Sequence, residues 1–281
     1  MPALTPKAPA TSIANTPIVL TIAGSDSGGG AGIQADIKAI SATGSYACSV
    51  ITALTAQNTQ GVSGIYPISS DFVEQQLDAV FTDLNVAAVK VGMLSDANII
   101  RSVAKKLIQY APRFLVVDPV MVATSGDLLL QSSAIDCLKA ELLPLADVIT
   151  PNLPEAAALI NKDVPASETA MTAMISELRA LGAKSVLLKG GHLEQDQNST
   201  DLLILADEII RLSAARINTC NTHGTGCTLS AAIASYLAQG HDLPAAVALG
   251  KDYITAALIH ADELNIGQGH GPVNHFFGLK A

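Results

Sequence analysis

The segment from 219 to 237 holds the residues best suited to chemistry, a glycine-rich turn followed directly by a helical pattern. Apolar side chains recur at helical spacing after position 228, so a helix is expected to begin near Gly226. Gly224 and Thr225 allow a sharp turn that would leave the first N–H groups of the helix unpaired. These donors and the helix dipole favour a phosphate or an oxyanion at this end. The same field would stabilise a thiolate and lower the pKa of Cys227.

This turn also has a simpler interpretation. It could do no more than connect a strand to a helix, with Cys227 as a small buried side chain, which is how unpaired cysteines usually occur. The rest of the chain has to decide between the two.

The first strand of the chain also ends in a glycine-rich loop. Residues 18–23 form a nearly continuous β-branched run typical of a buried parallel strand, and the loop that begins at Gly24 follows it. A helix comes next, on which Asp36 projects toward the buried side. An acid there needs a partner or a substrate. The alternative is an acid at the helix boundary whose carboxylate stays in water.

The same loop loosely matches the G-x-G-x-x-A fingerprint of dinucleotide-binding proteins. That fold would place a ribose-binding acid at the end of the second strand, but this strand ends in amides, Gln57 and Asn58. The Gln57 amide can donate and accept at once, which suits the edge of a heteroaromatic ring. A single glutamine at such a position is more often a residue that caps the loop.

Three more side chains follow the ends of later strands. Met93 could cover a ring there, although methionine more often fills a core. Asp118 could face a cation or a phosphate-bound metal, because ligands of open α/β sheets bind outside the carboxyl ends of the strands. Its alternative is a turn-capping aspartate before proline. Lys189 adds an ammonium group to the same edge of the sheet.

Asn152 and Glu155 lie at the predicted start of a helix. Asn152 is a good N-cap, and Glu155 in the first turn complements the helix dipole. Their positions can therefore be explained by structure alone.

Composition indicates a globular chain that acts on small molecules. Of the 281 residues 49% are apolar and 4% aromatic, and the formal net charge is −9. No global basic field is available for nucleic acid or an anionic membrane, and no apolar run is long enough to span a bilayer. The four cysteines form no CxxC pair, so neither a disulfide framework nor a zinc site is indicated. We expect a cytoplasmic protein, with residues 1–16 as a disordered tail and 17–281 as a single domain.

Strand and helix patterns alternate along most of the chain, which predicts an α/β fold with a mostly parallel sheet covered on both faces. A β-hairpin is expected around Asp207 and Glu208, because the strand patterns at 201–205 and 209–212 follow each other without a helix between them. The Walker A, HExxH, GxSxG and kinase HRD motifs are absent. The predicted strands cover 18–23, 46–53, 87–91, 114–117, 147–150 and 185–188, and the main helices 70–84, 97–110 and 243–264.

Seven sequence segments, in order over residues 17 to 276, resemble the hydroxymethylpyrimidine/phosphomethylpyrimidine kinases of thiamine biosynthesis, members of the ribokinase-like superfamily. This resemblance implies a three-layer α/β/α fold with little or no lid, and usually a cytoplasmic homodimer. It also implies two successive ATP-dependent phosphorylations, first of 4-amino-5-hydroxymethyl-2-methylpyrimidine and then of its monophosphate. The segments are TIAGSDSGGGAGIQADIKA, VITALTAQNTQGV, KVGML, DPVM, TPNLPEA, LKGGH and NTHGTGCTLSAA.

The resemblance also assigns residue roles. Gln57 would match the amide that pairs with the pyrimidine ring, and its pocket neighbours would be Asp36, Gly24 and Met93. Asn152 and Glu155 would match the superfamily's Asn-x-x-Glu, which holds Mg²⁺ largely through water. Lys189 would contact phosphate, and the anion hole would comprise Gly224, Thr225, Gly226 and Cys227.

Cys227 departs from the wider superfamily, which mostly has an aspartate there as catalytic base. Cysteine is usual in the pyrimidine kinases, so the departure favours that branch and leaves the proton acceptor open. Three alternatives remain at this point. They are a pyridoxal or pyridoxine kinase of the same superfamily, a dinucleotide oxidoreductase, and a non-catalytic pyrimidine-binding protein.

Overall fold

The computed structural model describes residues 16–121, 132–191, 193 and 198–279. Its strands are β1 (Ile18–Asp26), β2 (Tyr46–Asn58), β3 (Gly61–Pro67), β4 (Val86–Val91), β5 (Phe114–Val117), β6 (Val148–Ile149), β7 (Val186–Leu188), β8 (Asn198–Ile204) and β9 (Ile209–Ala215). The α-helices are α1 (Gly32–Ala42), α2 (Ser70–Phe81), α3 (Ala97–Tyr110), α4 (Ser132–Cys137), α5 (Leu153–Ile160), α6 (Glu168–Thr172), α7 (Ile175–Arg179), α8 (Thr225–Ala238) and α9 (Leu243–Ile259).

The nine strands of the described residues form one sheet in the order β3-β2-β1-β4-β5-β6-β7-β8-β9. The pairs from β2 through β7 are parallel, whereas β3, β8 and β9 join antiparallel at the two ends. The carboxyl ends of the parallel strands therefore meet at one edge. This edge carries the polar side chains and glycine loops noted in the sequence.

Two apolar layers hold helices against the sheet. Along β1, Val19 belongs to the layer formed with α1, α8 and α9, and Leu20 to the layer formed with α2 through α7. Both side chains are fully buried, as alternation in a doubly covered strand requires. Each such aliphatic side chain stabilises the fold by about 1.5–3 kcal/mol. The α/β/α architecture with a mostly parallel sheet is confirmed.

Most predicted elements agree with the structure, and the differences have physical causes. The strand expected to stop near Ala53 continues to Asn58, because its last six residues pair with β3. The pattern did not reveal β3, whose side chains are mostly exposed and so show no alternation. The helix expected to reach Leu84 ends at Phe81, and the one expected to reach Leu264 ends at Ile259.

Two features concern the chain outside the sheet. Residues 1–15, most of the predicted tail, lie outside the described part of the chain. Among the described residues, none of the helices combines the length and the apolarity needed to cross a bilayer.

Candidate active site

The glycine-rich turn before α8 forms a cradle of backbone amides, which we call the cradle loop (residues 222–227). Gly224 caps the helix with φ 80°, and a Cβ atom there would lie 1.9 Å from the Gly30 carbonyl oxygen, so only glycine fits. The Thr225 N–H donates to the Thr222 carbonyl at 3.2 Å. Among the described residues, no hydrogen bond engages the N–H groups of Gly226 and Cys227. The loop is therefore built to receive an anion.

An ammonium group stands directly beside this loop. A Cβ atom on Gly226 would lie 3.2 Å from Lys189 Nζ and 3.5 Å from Asp118 Oδ2. Lys189 Nζ donates to Asp118 Oδ1 at 2.9 Å, and Thr150 Oγ1 donates to the same oxygen at 2.9 Å. Burial would lower the pKa of Lys189, but the charges of Asp118 and Glu155 raise it, so the group is a cation. The structure thus brings Lys189, Asp118 and the cradle loop together.

Asn152 and Glu155 form a capping box at the start of α5. The Glu155 N–H donates to Asn152 Oδ1 at 2.8 Å, and the Asn152 N–H donates to Glu155 Oε2 at 2.8 Å. The Lys189 backbone bridges to Asn152, which places both next to the ammonium group. Burial, opposed by Lys189 and assisted by Asp118, raises the pKa of Glu155 to about 7. The structural explanation offered by the sequence is confirmed, and a role with metal stays a prediction.

Gln57 lies within contact distance of His223 in the cradle loop. It is the next-to-last residue of β2, is partly exposed, and its Nε2 lies 3.4 Å from His223 Nε2. Thr55 Oγ1 donates to Gln57 Oε1 at 3.0 Å, and the Gln57 N–H donates to Ser27 Oγ at 2.8 Å. Since His223 precedes Gly224, the amide expected to read a ring lies beside the amides expected to hold an anion.

Asp26 ties the first glycine loop together. Its carboxylate accepts the N–H groups of Gly28, Gly30 and Ala31 at 2.8–3.0 Å, and His223 Nε2 lies 2.9 Å from Asp26 Oδ2. Burial would raise the pKa of Asp26, but His223 and these amides lower it. The loop is therefore closed by a charged carboxylate of the chain itself, which occupies the amides that a dinucleotide pyrophosphate would need.

Gly24 and Met93 lie close together. A Cβ atom on Gly24 would lie 2.7 Å from Met93 Cε, and Met93 is 8% exposed. Gly24 lies in β1 and Met93 follows the end of the neighbouring strand β4, so their contact is at the carboxyl edge of the sheet. Their role as pocket neighbours of Gln57 stays a prediction.

Asp36 has a partner rather than a solvent-exposed carboxylate. Lys90 Nζ donates to both of its oxygens at 2.9 and 2.8 Å, Thr21 Oγ1 donates at 2.5 Å, and both charged side chains have no exposed surface. Burial would lower the pKa of Lys90, but Asp36 raises it, so the ammonium stays charged. In this conformation Asp36 would influence a ligand through Lys90 and Thr21, not by contact.

The expectation that Cys227 has a lowered pKa is wrong for this structure. Burial, together with the charges of Asp36 and Asp118, raises the pKa of the thiol to about 11, although Lys90 and the Gly32 amide oppose the rise. The helix end alone suggested a thiolate, but the two acids come from α1 and from the end of β5. The group is therefore a thiol at neutral pH.

Three site residues were missed by sequence reasoning, namely Lys90, Asp26 and His223. Lys90 lies within a strand whose neighbours are all apolar, and a charged residue there signals a buried partner. Asp26 and His223 are 197 positions apart, and no local pattern joins them.

The buried side chain of His275 contacts Thr228 in the first turn of α8. Thr228 Oγ1 lies 2.9 Å from its Nε2, and burial, with Lys38, lowers the pKa of the imidazole to about 4 from 6.5. In the pH range between these values the unfolded chain binds a proton at this residue that the folded chain does not, so stability must fall as the pH decreases. We expect a loss of about 3 kcal/mol in the free energy of unfolding.

Denaturant unfolding across that pH range checks this prediction. His275→Gln should flatten the pH dependence, because glutamine cannot take up a proton and can still contact Thr228. His241→Gln, which removes an exposed imidazole, is the control and should leave the slope unchanged. Equal slopes in wild type and His275→Gln would refute the assignment.

Comparison with known proteins gives consistent results. A family model described as phosphomethylpyrimidine kinase matches residues 26–274. A hydroxymethylpyrimidine/phosphomethylpyrimidine kinase of Rhizobium meliloti is 54% identical over 261 residues, which is 93% of this chain and 97% of that protein. A thiamine biosynthesis bifunctional protein of Geobacter sulfurreducens is 53% identical, over 93% of this chain and 53% of its own length.

Solved structures agree with the fold. A Bacillus subtilis pyridoxal kinase in complex with ADP superposes with a TM-score of 0.85 at 35% identity, covering 92% of this chain and 97% of its own. Its sequence is thus more distant than that of the Rhizobium relative, although the backbone is closely similar.

Proposed function

The chain belongs to the phosphomethylpyrimidine kinase family, and we infer that it phosphorylates 4-amino-5-hydroxymethyl-2-methylpyrimidine and then its monophosphate, using ATP. The product of the second step is the pyrophosphate used in thiamine biosynthesis. The observation that carries this proposal is that no acceptor in the described part of the chain takes the Gly226 and Cys227 amides, which lie beside the Lys189 ammonium group. A protein that only bound the pyrimidine would have no need of such a phosphate cradle.

The geometry supports in-line transfer. Lys189 would hold the oxygens of the nucleotide phosphates, and the amides of Gly226 and Cys227 would hold the migrating phosphoryl group, which spreads its charge. Gln57 would fix the pyrimidine ring so that its hydroxymethyl oxygen faces the phosphorus. Because Cys227 is a thiol in this structure and nearby anions raise its pKa further, its side chain would position the reacting groups rather than accept the hydroxyl proton.

The chemistry of the nearby oxygen atoms fits a magnesium ion. Two buried carboxylates, Asp118 and Glu155, share one neighbouring cation, Lys189. Burial would raise the pKa of Asp118, but Lys189 and Lys90 lower it, whereas burial and the charge of Asp118 raise the pKa of Glu155 to about 7. Carboxylate oxygens bind Mg²⁺, usually with several waters and substrate phosphates completing the coordination. We propose that Asp118, Glu155 and Asn152 hold Mg²⁺, largely through water. The ion would supply charge neutralisation for the nucleotide phosphates.

Pyridoxal kinase activity is the nearest alternative. It draws on a structural relative of 35% identity, whereas the pyrimidine kinases reach 54%, so it is not better supported. The dinucleotide alternative loses its basis because Asp26 occupies the amides of the first loop. A cytoplasmic homodimer remains part of the proposal on the basis of the family resemblance.

A coupled ADP assay with mass detection of products tests the proposed function. Purified protein with ATP and Mg²⁺ should release ADP with the hydroxymethylpyrimidine and yield first the monophosphate and then the diphosphate. Pyridoxal is offered in parallel. Faster ADP release with pyridoxal than with the pyrimidine, or no phosphorylated pyrimidine, would overturn the proposal.

Two substitutions separate the roles within the site. Cys227→Ala should lower kcat roughly 10- to 100-fold with little change in the KM for ATP, since it alters the receiving end of the transfer. Gln57→Ala should mainly raise the KM for the pyrimidine, by roughly 10-fold, because it removes ring contacts made before reaction. Steady-state kinetics with each substrate varied provides the measurement.

Matched controls come from the same regions of the chain. Cys220→Ala removes an exposed thiol seven residues upstream, and Gln60→Ala removes an exposed amide at the hairpin tip. Both should leave kcat and KM near wild type. Equal and small effects of Cys227→Ala and Gln57→Ala on both parameters would count against the assigned roles.

A further inference from the structure

Residues 267–273, near the C-terminus, run from the β2–β3 hairpin to the cradle loop, and we call this segment the strap. At its first end it packs on Thr59, which lies at the tip of the β2–β3 hairpin, two residues after Gln57. The N–H groups of Gln268 and Gly269 both donate to Thr59 Oγ1 at 3.2 Å, and the His270 N–H donates to the Thr59 carbonyl at 2.8 Å. Three successive strap amides therefore converge on one residue.

At its other end the strap pairs with the cradle loop. The His223 N–H donates to the Gly271 carbonyl at 3.0 Å, and the Val273 N–H donates to the His223 carbonyl at 3.4 Å. His223 and Pro272 form a parallel β-bridge. The Gly271 N–H donates to Asn221 Oδ1 at 3.1 Å, just upstream of the loop. The strap thus holds the backbone immediately before Gly224.

The fit at both ends leaves no room for side chains. A Cβ atom on Gly269 would lie 2.1 Å from the Thr59 carbonyl oxygen, and one on Gly271 would lie 2.2 Å from Asn221 Oδ1. Contacts below 3 Å between such atoms require the backbone or a side chain to move. The strap residues 267–270 are exposed, whereas Gly271, Pro272 and Val273 are buried. The strap therefore lies on the surface over its first four residues and is buried over its last three.

We propose that the strap is a positioning element of the active site, which fixes the ring-binding hairpin relative to the cradle loop, with Thr59 as its anchor. The inference rests on the proposed function, because it assigns the ring to Gln57 and the phosphoryl group to the cradle loop. Transfer requires the reacting atoms to approach within about 3–3.5 Å, and a misplacement of about 1 Å can reduce the rate about 100-fold. In this proposal Thr59 contacts neither substrate. It acts by fixing the distance between the β2–β3 hairpin and the cradle loop.

The test uses the full chain with three variants. Thr59→Val removes the hydroxyl acceptor, Thr59→Ser keeps it, and Gly269→Ala introduces the clash with the Thr59 carbonyl. Gly278→Ala is the control, since nothing lies within 4 Å of the added Cβ. Thr59→Val should lower kcat/KM for the pyrimidine roughly three- to ten-fold, with the KM for ATP and the thermal midpoint unchanged. Thr59→Ser, which keeps the hydroxyl acceptor, should have the wild-type kcat/KM for the pyrimidine.

Amide hydrogen exchange supplies a readout that does not depend on activity. In Thr59→Val, peptides covering residues 57–61 and residues 222–227 should both exchange faster than in Thr59→Ser. Faster exchange confined to the hairpin tip would overturn the proposal, and so would equal kinetics of the valine and serine variants. If Gly269→Ala fails to fold, the Thr59 pair still decides. If the wild-type protein does not phosphorylate the pyrimidine, the proposed function is refuted. The exchange experiment would still test whether Thr59 couples the hairpin to the cradle loop, because it does not depend on activity.

Discussion

Replacing Lys189 by methionine should reduce kcat about 100- to 1,000-fold, the usual effect of removing one preorganised donor from a developing charge. The ammonium group lies beside Gly226 at the mouth of the cradle loop and is 13% exposed, so water cannot replace it well. Burial would lower its pKa, but the charges of Asp118 and Glu155 raise it above the usual value, so the group is a cation in the neutral range. The loss should appear in kcat at saturating ATP and pyrimidine, with a further rise in the KM for ATP.

Lys184→Met is the matched control for this experiment. Lys184 also pairs with an aspartate, Asp147, at 2.8 Å, but its side chain is 72% exposed and lies on the approach to β7, away from the cradle loop. Activity of that variant should equal wild type. Lys189→Arg keeps the charge on a planar group and should retain partial activity. A kcat for Lys189→Met within about threefold of wild type, in protein shown to be folded, would remove Lys189 from the mechanism.

The sequence predicted the positions of these groups better than their partners. Lys189, Asp118 and Asn152 all follow parallel strands, and parallel strands align their carboxyl ends at one edge of a sheet. The α/β pattern was therefore sufficient to bring them together. The start of α8 was predicted within one residue, since an apolar helical face and a glycine turn are both local signals.

Features that depend on distant parts of the chain were not predictable. The helical pattern correctly placed Asp36 on the buried side of α1, but its partner Lys90 is 54 positions away on strand β4. The pKa of Cys227 was predicted in the wrong direction for the same reason, because the local helix end was visible and the acids from α1 and β5 were not. Burial and long-range charge follow from how the layers pack, and no short window of sequence contains that information.

The strap illustrates a third case. Its glycines at 267, 269 and 271 are visible in the sequence as a turn-rich stretch near the end of the chain. What makes them necessary is the close approach of Thr59 and Asn221, which come from other loops. The contact that requires glycine at these positions therefore appears only after folding.

Replacing Lys90 by methionine should destabilise the protein by about 3–5 kcal/mol, the usual cost of leaving a buried charge without its partner. Lys90 and Asp36 have no exposed side-chain surface, and the ammonium group contacts both carboxylate oxygens. Burial already raises the pKa of Asp36. Without Lys90 the acid must either stay ionised in an apolar layer or take up a proton. Equilibrium denaturation in urea at neutral pH measures the loss.

A double variant separates this pair from simple loss of packing. Lys90→Met combined with Asp36→Asn removes both charges and leaves an amide oxygen for Thr21, so it should recover much of the stability that Lys90→Met alone loses. Lys105→Met is the surface control, because Lys105 pairs with Glu74 at 2.8 Å but is 65% exposed, and its loss should cost no more than about 1 kcal/mol. If the single and double variants were equally unstable, the cost would arise from packing around the methionine. In that case the charge of the Lys90–Asp36 pair would contribute nothing to the free energy of unfolding beyond packing.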